Sequence, residues 1–399
     1  MQMHHKTLPN KHKLHINLPK DMFALLTNRL LFRLGFGLVG VFLPIFFYQL
    51  FNDSIYAVLY IYIIVYMLGV LMTPISSQLI GVIGMRRLIA LSVPPSALAI
   101  GALYFANGYP VYATATFIIA IAIYRATYWV PYETDLSHFI GHGKVGMHVA
   151  VYKNALQIMN AITPLAGGFL IAAFGFGNVF MFAAVVLMTT LIPVQFIRQV
   201  YERYAWGFIE TFRHFFSYKN RALVYAYAAD GAQSVISSIV WPVFIFELLN
   251  GNYMSVGFIT SLTTIAILVL NVGVGKFIDK VGRDKALRYS TWLAATGWVI
   301  KVFVDSAFQI FITDTYHRLG RAASRMSFDA STYEQAADNG HFIDEFTTLK
   351  NMAIDLGRVG MLFTVLALVY FLGNIRVVFI LAALATLAMM FLNNKINIK

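Results

Sequence analysis

Gly275-Lys276-Phe277-Ile278-Asp279-Lys280-Val281-Gly282-Arg283-Asp284-Lys285 is a charged turn, bracketed by glycines and set between two long apolar runs. Glycine lets two helices approach and reverse, and an aspartate at such a turn can cap a helix N-terminus or meet a cation. The surrounding composition makes this a turn at a membrane surface. The chain is 59% hydrophobic and only 12% charged, and its mean hydropathy is +0.69, far outside the range of soluble domains. Lysine and arginine at such a turn hold it on the cytoplasmic side.

Several function classes are excluded at once. The absence of cysteine removes disulfides and thiolate metal sites. No Gly-x-x-x-x-Gly-Lys-Ser/Thr sequence occurs, so nothing points to ATP as a driver, and no metal or other cofactor is expected. The net charge of +12 calls for no nucleic-acid partner, because the basic residues follow membrane topology. Residues 1–20 are basic without a separate apolar core and cleavage site, so they are expected to form a cytoplasmic tail.

A span needs about 20 apolar residues. That ruler predicts twelve, at 22–50, 55–80, 86–106, 109–131, 146–174, 178–197, 222–249, 255–275, 286–305, 307–328, 346–372 and 375–393. With this threading, twenty of the 30 Lys and Arg fall in the tails and loops on one side, and Arg376 alone lies in a loop on the other. Both termini are therefore expected in the cytoplasm of an integral protein of the plasma membrane. The segment 198–221 spaces Tyr201, Tyr204, Phe208, Phe212 and Phe215 three or four apart, which predicts an amphipathic linker helix lying in the interface.

The two halves repeat. Pro44-x-Phe46-x-x-Gln49-Leu50-x-Asn52 returns as Pro242-x-Phe244-x-x-Glu247-Leu248-x-Asn250, and Gly84-Met85-Arg86-Arg87 as Gly282-Arg283-Asp284-Lys285, both at a shift of 198. Arg125-Ala126 returns as Arg321-Ala322, and Lys153-Asn154 as Lys350-Asn351, at nearly the same shift. Ordered landmarks at one offset indicate duplicated units.

The opening turn, Gly-x-x-x-Asp-Lys-x-Gly-Arg-x-Lys, resembles the loops joining helices 2 to 3 and 8 to 9 in transporters of the major facilitator superfamily. In the matching loop of the first half, Gly81 stands where that signature carries aspartate. The resemblance implies an all-α membrane protein of twelve transmembrane helices in two pseudo-symmetric six-helix bundles. These would be residues 21–197 and 222–394, joined by the linker 198–221 and followed by a cytoplasmic tail at 395–399. It also implies a central cavity lined by spans 1, 4, 7 and 10.

Nine cations lie within or at the ends of spans. Each costs about 2.5 to 3.5 kcal/mol at a span centre and must face a partner or water. Substrate or coupling candidates are Arg29 and Arg33 of span 1, Asp230 of span 7, and Asp314, His317 and Arg318 of span 10. Asp314 and Arg318 share a helix face and can equally form a structural pair. Asp230 could bridge the halves to Arg33, and Asp355 with Arg358 could pair locally. Gate or structural candidates are Gly275, Asp279, Lys280, Gly282 and Arg283 in the signature turn, with Arg125, Glu133, Arg321, Arg325 and Asp329 at the inner ends of spans 4 and 10. Asp279 is expected to meet Arg325, Arg321 or the start of the helix near Gly146.

The function these features imply is secondary active transport of a small solute by alternating access, not catalysis. The excess of arginine leans toward an anionic or amphipathic anionic solute. Protons are a candidate coupling partner, lipids surround the chain, and a monomer is expected. Export of lipophilic compounds and a non-transporting sensor remain alternatives. A membrane-embedded lipid transferase fits poorly, because Asp230-Gly231-Ala232 is not followed by the further closely spaced aspartates that would hold Mg2+.

Overall fold

The computed structural model describes residues 20–140, 146–201, 204–338 and 343–393, with backbone alone at 21, 134–140, 146–153, 279, 283–284, 327–338, 343–344 and 389–393. The tails expected at 1–20 and 395–399 therefore lie, apart from Lys20, outside the described residues.

Among the described residues all regular structure is helical, joined by short turns and one longer linker. In order, the helices are α1 (Lys20–Gly40), α2 (Phe42–Leu50), α3 (Ile55–Ile83), α4 (Met85–Ala102), α5 (Pro110–Ile140), α6 (Gly146–Thr189) and α7 (Leu191–Val194). A short α8 (Phe208–Phe215) leads to α9 (Arg221–Val235), α10 (Trp241–Leu248), α11 (Tyr253–Val281), α12 (Arg283–Lys301), α13 (Ala307–Asp338), α14 (Ile343–Leu372) and α15 (Val378–Asn393). Lipid can satisfy no backbone group, so helices that bond internally are what an apolar chain of this kind can form. On α3 the side chains of Tyr60, Ile64, Met67, Leu71 and Ile75 are exposed, a stripe at helical spacing left for acyl chains. Val58, Ile61, Val65 and Thr73 face inward.

Eight helical segments are long and apolar enough to cross a membrane, which corrects the expectation of twelve spans in two six-helix bundles. Three physical reasons account for the difference. The spans expected at 146–174 and 178–197 run together in α6, 44 residues long and kinked at Gly175 (φ 76, ψ 164). Helices α12 and α13 overlap the spans expected at 286–305 and 307–328, but Lys285, Arg288 and Lys301 on one, and Asp314, Arg318, Arg321 and Arg325 on the other, deprive them of an apolar 18-residue window. The last helix offers only the shorter apolar stretch Ile375–Ala388.

The repeat is visible in the backbone. Gly84 breaks α3 from α4 at φ 84, ψ 156, and Gly282, 198 residues on, breaks α11 from α12 at φ 85, ψ 151. Both angles lie where side chains with a Cβ are strained. Helices α3 and α11, which end at these glycines, are each 29 residues long. Asn52 and Asn250, also 198 apart, both take positive φ, 55 and 53.

Helices α1 to α7 pack mainly on one another, as do α9 to α15, and two seams join the groups. At one seam α6 crosses α11 and α2 meets α10; at the other α14 lies on α3 and α5. Without a hydrophobic drive in lipid, such crossings depend on close backbone approach at small residues. A Cβ on Gly257 of α11 would fall 2.3 Å from the Pro164 carbonyl oxygen of α6. The same device serves within the later group, where one on Gly357 of α14 would fall 1.9 Å from the Ala228 oxygen of α9.

The linker is less helical than expected. Among its described residues, helix is confined to Phe208–Phe215 and to Arg221, which opens α9; Glu210 accepts the Gly207 amide at 3.2 Å, and Thr211 and Phe215 are buried. Upstream, the Ala205 amide donates to Glu345 Oε1 of α14 at 3.1 Å.

Candidate functional site

Charged side chains from both groups of helices converge at the second seam. Arg125 of α5 reaches Asp355 of α14 with Nη2, 2.7 and 2.6 Å from the two carboxylate oxygens. One turn further, Arg358 donates from Nη1 to Asp355 Oδ1 at 2.8 Å and from Nε to the Ser234 hydroxyl at 3.3 Å. The ring of Tyr66 on α3 lies under both guanidinium groups, 5.2 Å from Arg125 and 4.9 Å from Arg358. Gly69, one turn along α3, leaves the space that the Asp355 carboxylate fills, since a Cβ there would sit 2.3 Å from Oδ2. Toward the end of α5, Glu133 accepts from Lys350 at 3.3 Å and Asn351 at 3.5 Å.

Gly69, Arg125, Glu133, Lys350, Asn351, Asp355 and Arg358 line a cavity of about 170 Å³, completed by Thr73, Trp129 and Arg325 among others. Among the described residues its charged lining is Arg125, Arg325, Lys350 and Arg358 with Glu133 and Asp355. The arrangement can grip an anion through arginine forks while keeping the two acids neutralised.

A second charged cluster lies inside the later group. Asp314 of α13 accepts from Lys301 Nζ of α12 at 2.7 Å and from Arg318 Nε at 2.8 Å. Lys301 is fully buried, its ammonium 4.0 Å from the centre of the Trp241 ring and 4.4 Å from that of Trp298. His317 is also fully buried, with Nδ1 3.0 Å from the Ala294 carbonyl and its ring 4.4 Å from that of Trp298. Asp230 of α9 takes Arg321 Nη2 at 3.1 Å and Gln233 Nε2 at 3.4 Å. Asp230 is thus bonded inside its own group, where a bridge to Arg33 had been one expectation. The Asp314–Arg318 and Asp355–Arg358 pairs are both present at 2.8 Å.

Arg29 of α1 is buried against a ladder of rings on α5, with its guanidinium 5.4, 4.5 and 4.7 Å from the centres of Tyr128, Trp129 and Tyr132. Cations over such faces are held electrostatically. Arg33, half-buried, stands one turn further along α1. Of the turn that opened the sequence reading, Gly275 and Lys280 lie in the closing turns of α11 and Gly282 forms the break before α12. The side chains of Asp279, Arg283 and Asp329, and with them the expected Asp279 gate contact, lie outside the described residues.

Lys301 is one of the nine cations embedded in spans, but nothing in the sequence assigns it to Asp314, and nothing there joins Tyr66, Gly69, Lys350 and Asn351 into one site. The partners of that site are 217 to 230 residues apart, and no local spacing connects them.

At the other seam, the Tyr48 hydroxyl of α2 bonds Glu247 of α10, and the Tyr253 hydroxyl of α11 donates to Gln49 Oε1 at 2.6 Å. Phe176 and Phe246 pack on the Tyr253 ring, with centroids 5.2 Å away in each case.

A sequence model of the family described as Major Facilitator Superfamily matches residues 25–297. No curated protein matches the chain. Among solved structures, it is similar to a bacterial homologue of the iron transporter ferroportin in its inward-facing state, at 14% identity, covering 94% of this chain and 98% of that one with a TM-score of 0.69. For a bacterial ferroportin homologue in the outward-facing state the values are 15%, 94%, 100% and 0.64. At these identities the likeness is one of fold.

Proposed function

The chain belongs to the Major Facilitator Superfamily, a family of secondary transporters that work by alternating access, and we propose that this member carries a small organic anion. The observation that supports the reading is the cavity at the α3, α5 and α14 seam, where, among the described residues, four cationic side chains stand with two acids and the arginines Arg125 and Arg358 share one carboxylate. At an effective dielectric of about 20, one unbalanced charge about 6 Å away is worth roughly 3 kcal/mol. Arg125 and Arg358 share the single carboxylate of Asp355, and this surplus of positive charge disfavours a divalent cation, so the iron of ferroportin is not carried over to this chain.

The two seams give the cycle its moving contacts. By the distribution of lysine and arginine, the Tyr48–Glu247 and Gln49–Tyr253 bonds close the outer end, both termini lie in the cytoplasm and the cavity faces inward. Exchange of solute then requires one seam to open as the other closes.

The test is a thermal-shift screen of the purified protein against organic acids, sugar phosphates, sugars and lipophilic cations, followed by flux in proteoliposomes. A ligand of the folded state raises its melting temperature. Stabilisation and flux confined to organic acids or sugar phosphates are expected. Responses only to sugars or lipophilic cations would overturn the anion reading, and ligand binding without flux would favour a sensor.

A further inference from the structure

Asp355 occupies an anion site made by two arginines from opposite groups of helices. It uses that site incompletely. Arg125 meets both carboxylate oxygens with the single nitrogen Nη2, while its Nε is buried and meets no acceptor among the described residues. The guanidinium is a planar fork of five donors, and an edge of two N–H groups is what grips a carboxylate or phosphate in a bidentate manner. The unfilled Nε belongs to a residue that lines the cavity. On the far side, Arg358 holds Asp355 independently at 2.8 Å.

We propose that the anionic head of the solute, a carboxylate or a phosphate, docks on Arg125 in competition with Asp355, and that this exchange unclasps α14 from α5. The proposal rests on the anion reading of the cavity and names the group that the solute must carry. Its logic is charge balance. Arg125 passes from one carboxylate to another, Asp355 keeps Arg358, and no buried charge is left without a partner. A neutral solute that parted Arg125 from Asp355 would strand a guanidinium, which is strongly unfavourable. Only a ligand with differential affinity for the parted state can shift the cycle, and an anion has it. Tyr66 keeps both guanidinium planes in place during the exchange, since its ring lies against each of them.

Asp355→Asn keeps the shape of the side chain and removes the competing charge. With acetate and inorganic phosphate as probes at constant ionic strength, its apparent affinity for the anion should rise by about tenfold over the wild type, because the site is no longer self-occupied. Asp355→Ala should melt lower than the wild type and recover on adding acetate or phosphate, but not on adding chloride. Arg125→Gln placed on either variant should abolish the response. Unchanged anion affinity in Asp355→Asn, or a response that survives Arg125→Gln, would overturn the exchange. If organic anions are nevertheless transported, the anion reading of the cavity stands without it. If the Asp355 variants behave as expected while the wild type moves only neutral or cationic solutes, the site stands and the anion reading of transport falls.

Discussion

Glu247 accepts a hydrogen bond from the Tyr48 hydroxyl across the seam between the two groups of helices. Its counterpart in the repeat is Gln49, 198 residues earlier, which accepts from Tyr253 on the opposite side. A residue and its duplicate thus take the same role, each receiving a tyrosine from the other group. The seam is held by hydrogen bonds that can be remade, with rings packed around them.

Weakening this seam should shift the conformational balance. A typical hydrogen bond contributes about 1 kcal/mol, so Tyr48→Phe should reduce the ratio of closed to open outer ends by roughly fivefold. The chain has no cysteine, which makes spin labelling direct. Labels at Tyr56→Cys and Met254→Cys, exposed positions at the starts of α3 and α11, should show a larger long-distance population in Tyr48→Phe. An unchanged distance distribution would remove the latch.

The crossing of α6 and α11 should tolerate no added methyl group. Gly257→Ala places a Cβ 2.3 Å from the Pro164 carbonyl oxygen, and overpacking of this kind costs about 1 to 3 kcal/mol. Gly360 is the control, because a Cβ there meets nothing within 4 Å. Gly360→Ala should be neutral or stabilise by up to about 1 kcal/mol through helix propensity. Melting curves in detergent decide it, and equal effects of the two substitutions would refute the packing argument.

The cluster at Asp314 makes an asymmetric prediction. Asp314→Asn leaves Lys301 and Arg318 facing each other without their shared carboxylate, and breaking a buried pair from one side costs about 3 to 5 kcal/mol. Lys301→Met keeps the Asp314–Arg318 pair at 2.8 Å and puts an apolar chain between the Trp241 and Trp298 rings, so its cost should be about 1 kcal/mol or less. The reverse order of stability would show that Lys301 is the principal counter-ion.

Proton coupling, where flux shows it, should fall to Asp230. Asp314 is held by two cations at 2.7 and 2.8 Å, and Asp355 by two at 2.6 and 2.8 Å. Among the described residues Asp230 has one ion pair, Arg321 at 3.1 Å, and an amide at 3.4 Å, with Arg325 and Arg358 acting on it at longer range. It is the most loosely held of the three, and a carboxylate must lose its partner before it can take a proton. Flux in proteoliposomes should respond to an imposed pH gradient, and Asp230→Asn should lose that response while still binding solute. Flux indifferent to the gradient in the wild type would end the idea.

The parts of the molecule that were legible in sequence are those set by local chemistry. The glycine turns at 84 and 282, the 198-residue repeat and the i, i+3 and i, i+4 charge pairs on α13 and α14 all follow from spacing. Beyond the fusion of two spans in α6 and the short last helix, span counting went astray where embedded charges interrupt apolarity. Helices α12 and α13 carry the charges that bind Asp314 and Asp230, and those charges remove the very signal by which a span is counted. The cavity was illegible for another reason, since Arg125 and Asp355 are 230 residues apart and belong to different groups. Only the fold brings them within hydrogen-bond distance.

Trp129 touches both the Arg29 guanidinium, 4.5 Å from its ring, and the cavity. Of the five tryptophans, it alone lines that space, while Trp241 and Trp298 are buried around Lys301 and Trp292 is exposed. The indole is therefore a built-in optical probe. With the other four replaced by phenylalanine, the remaining emission would respond to what enters beside Arg125, giving a titration of the empty and filled protein in real time with no dye attached.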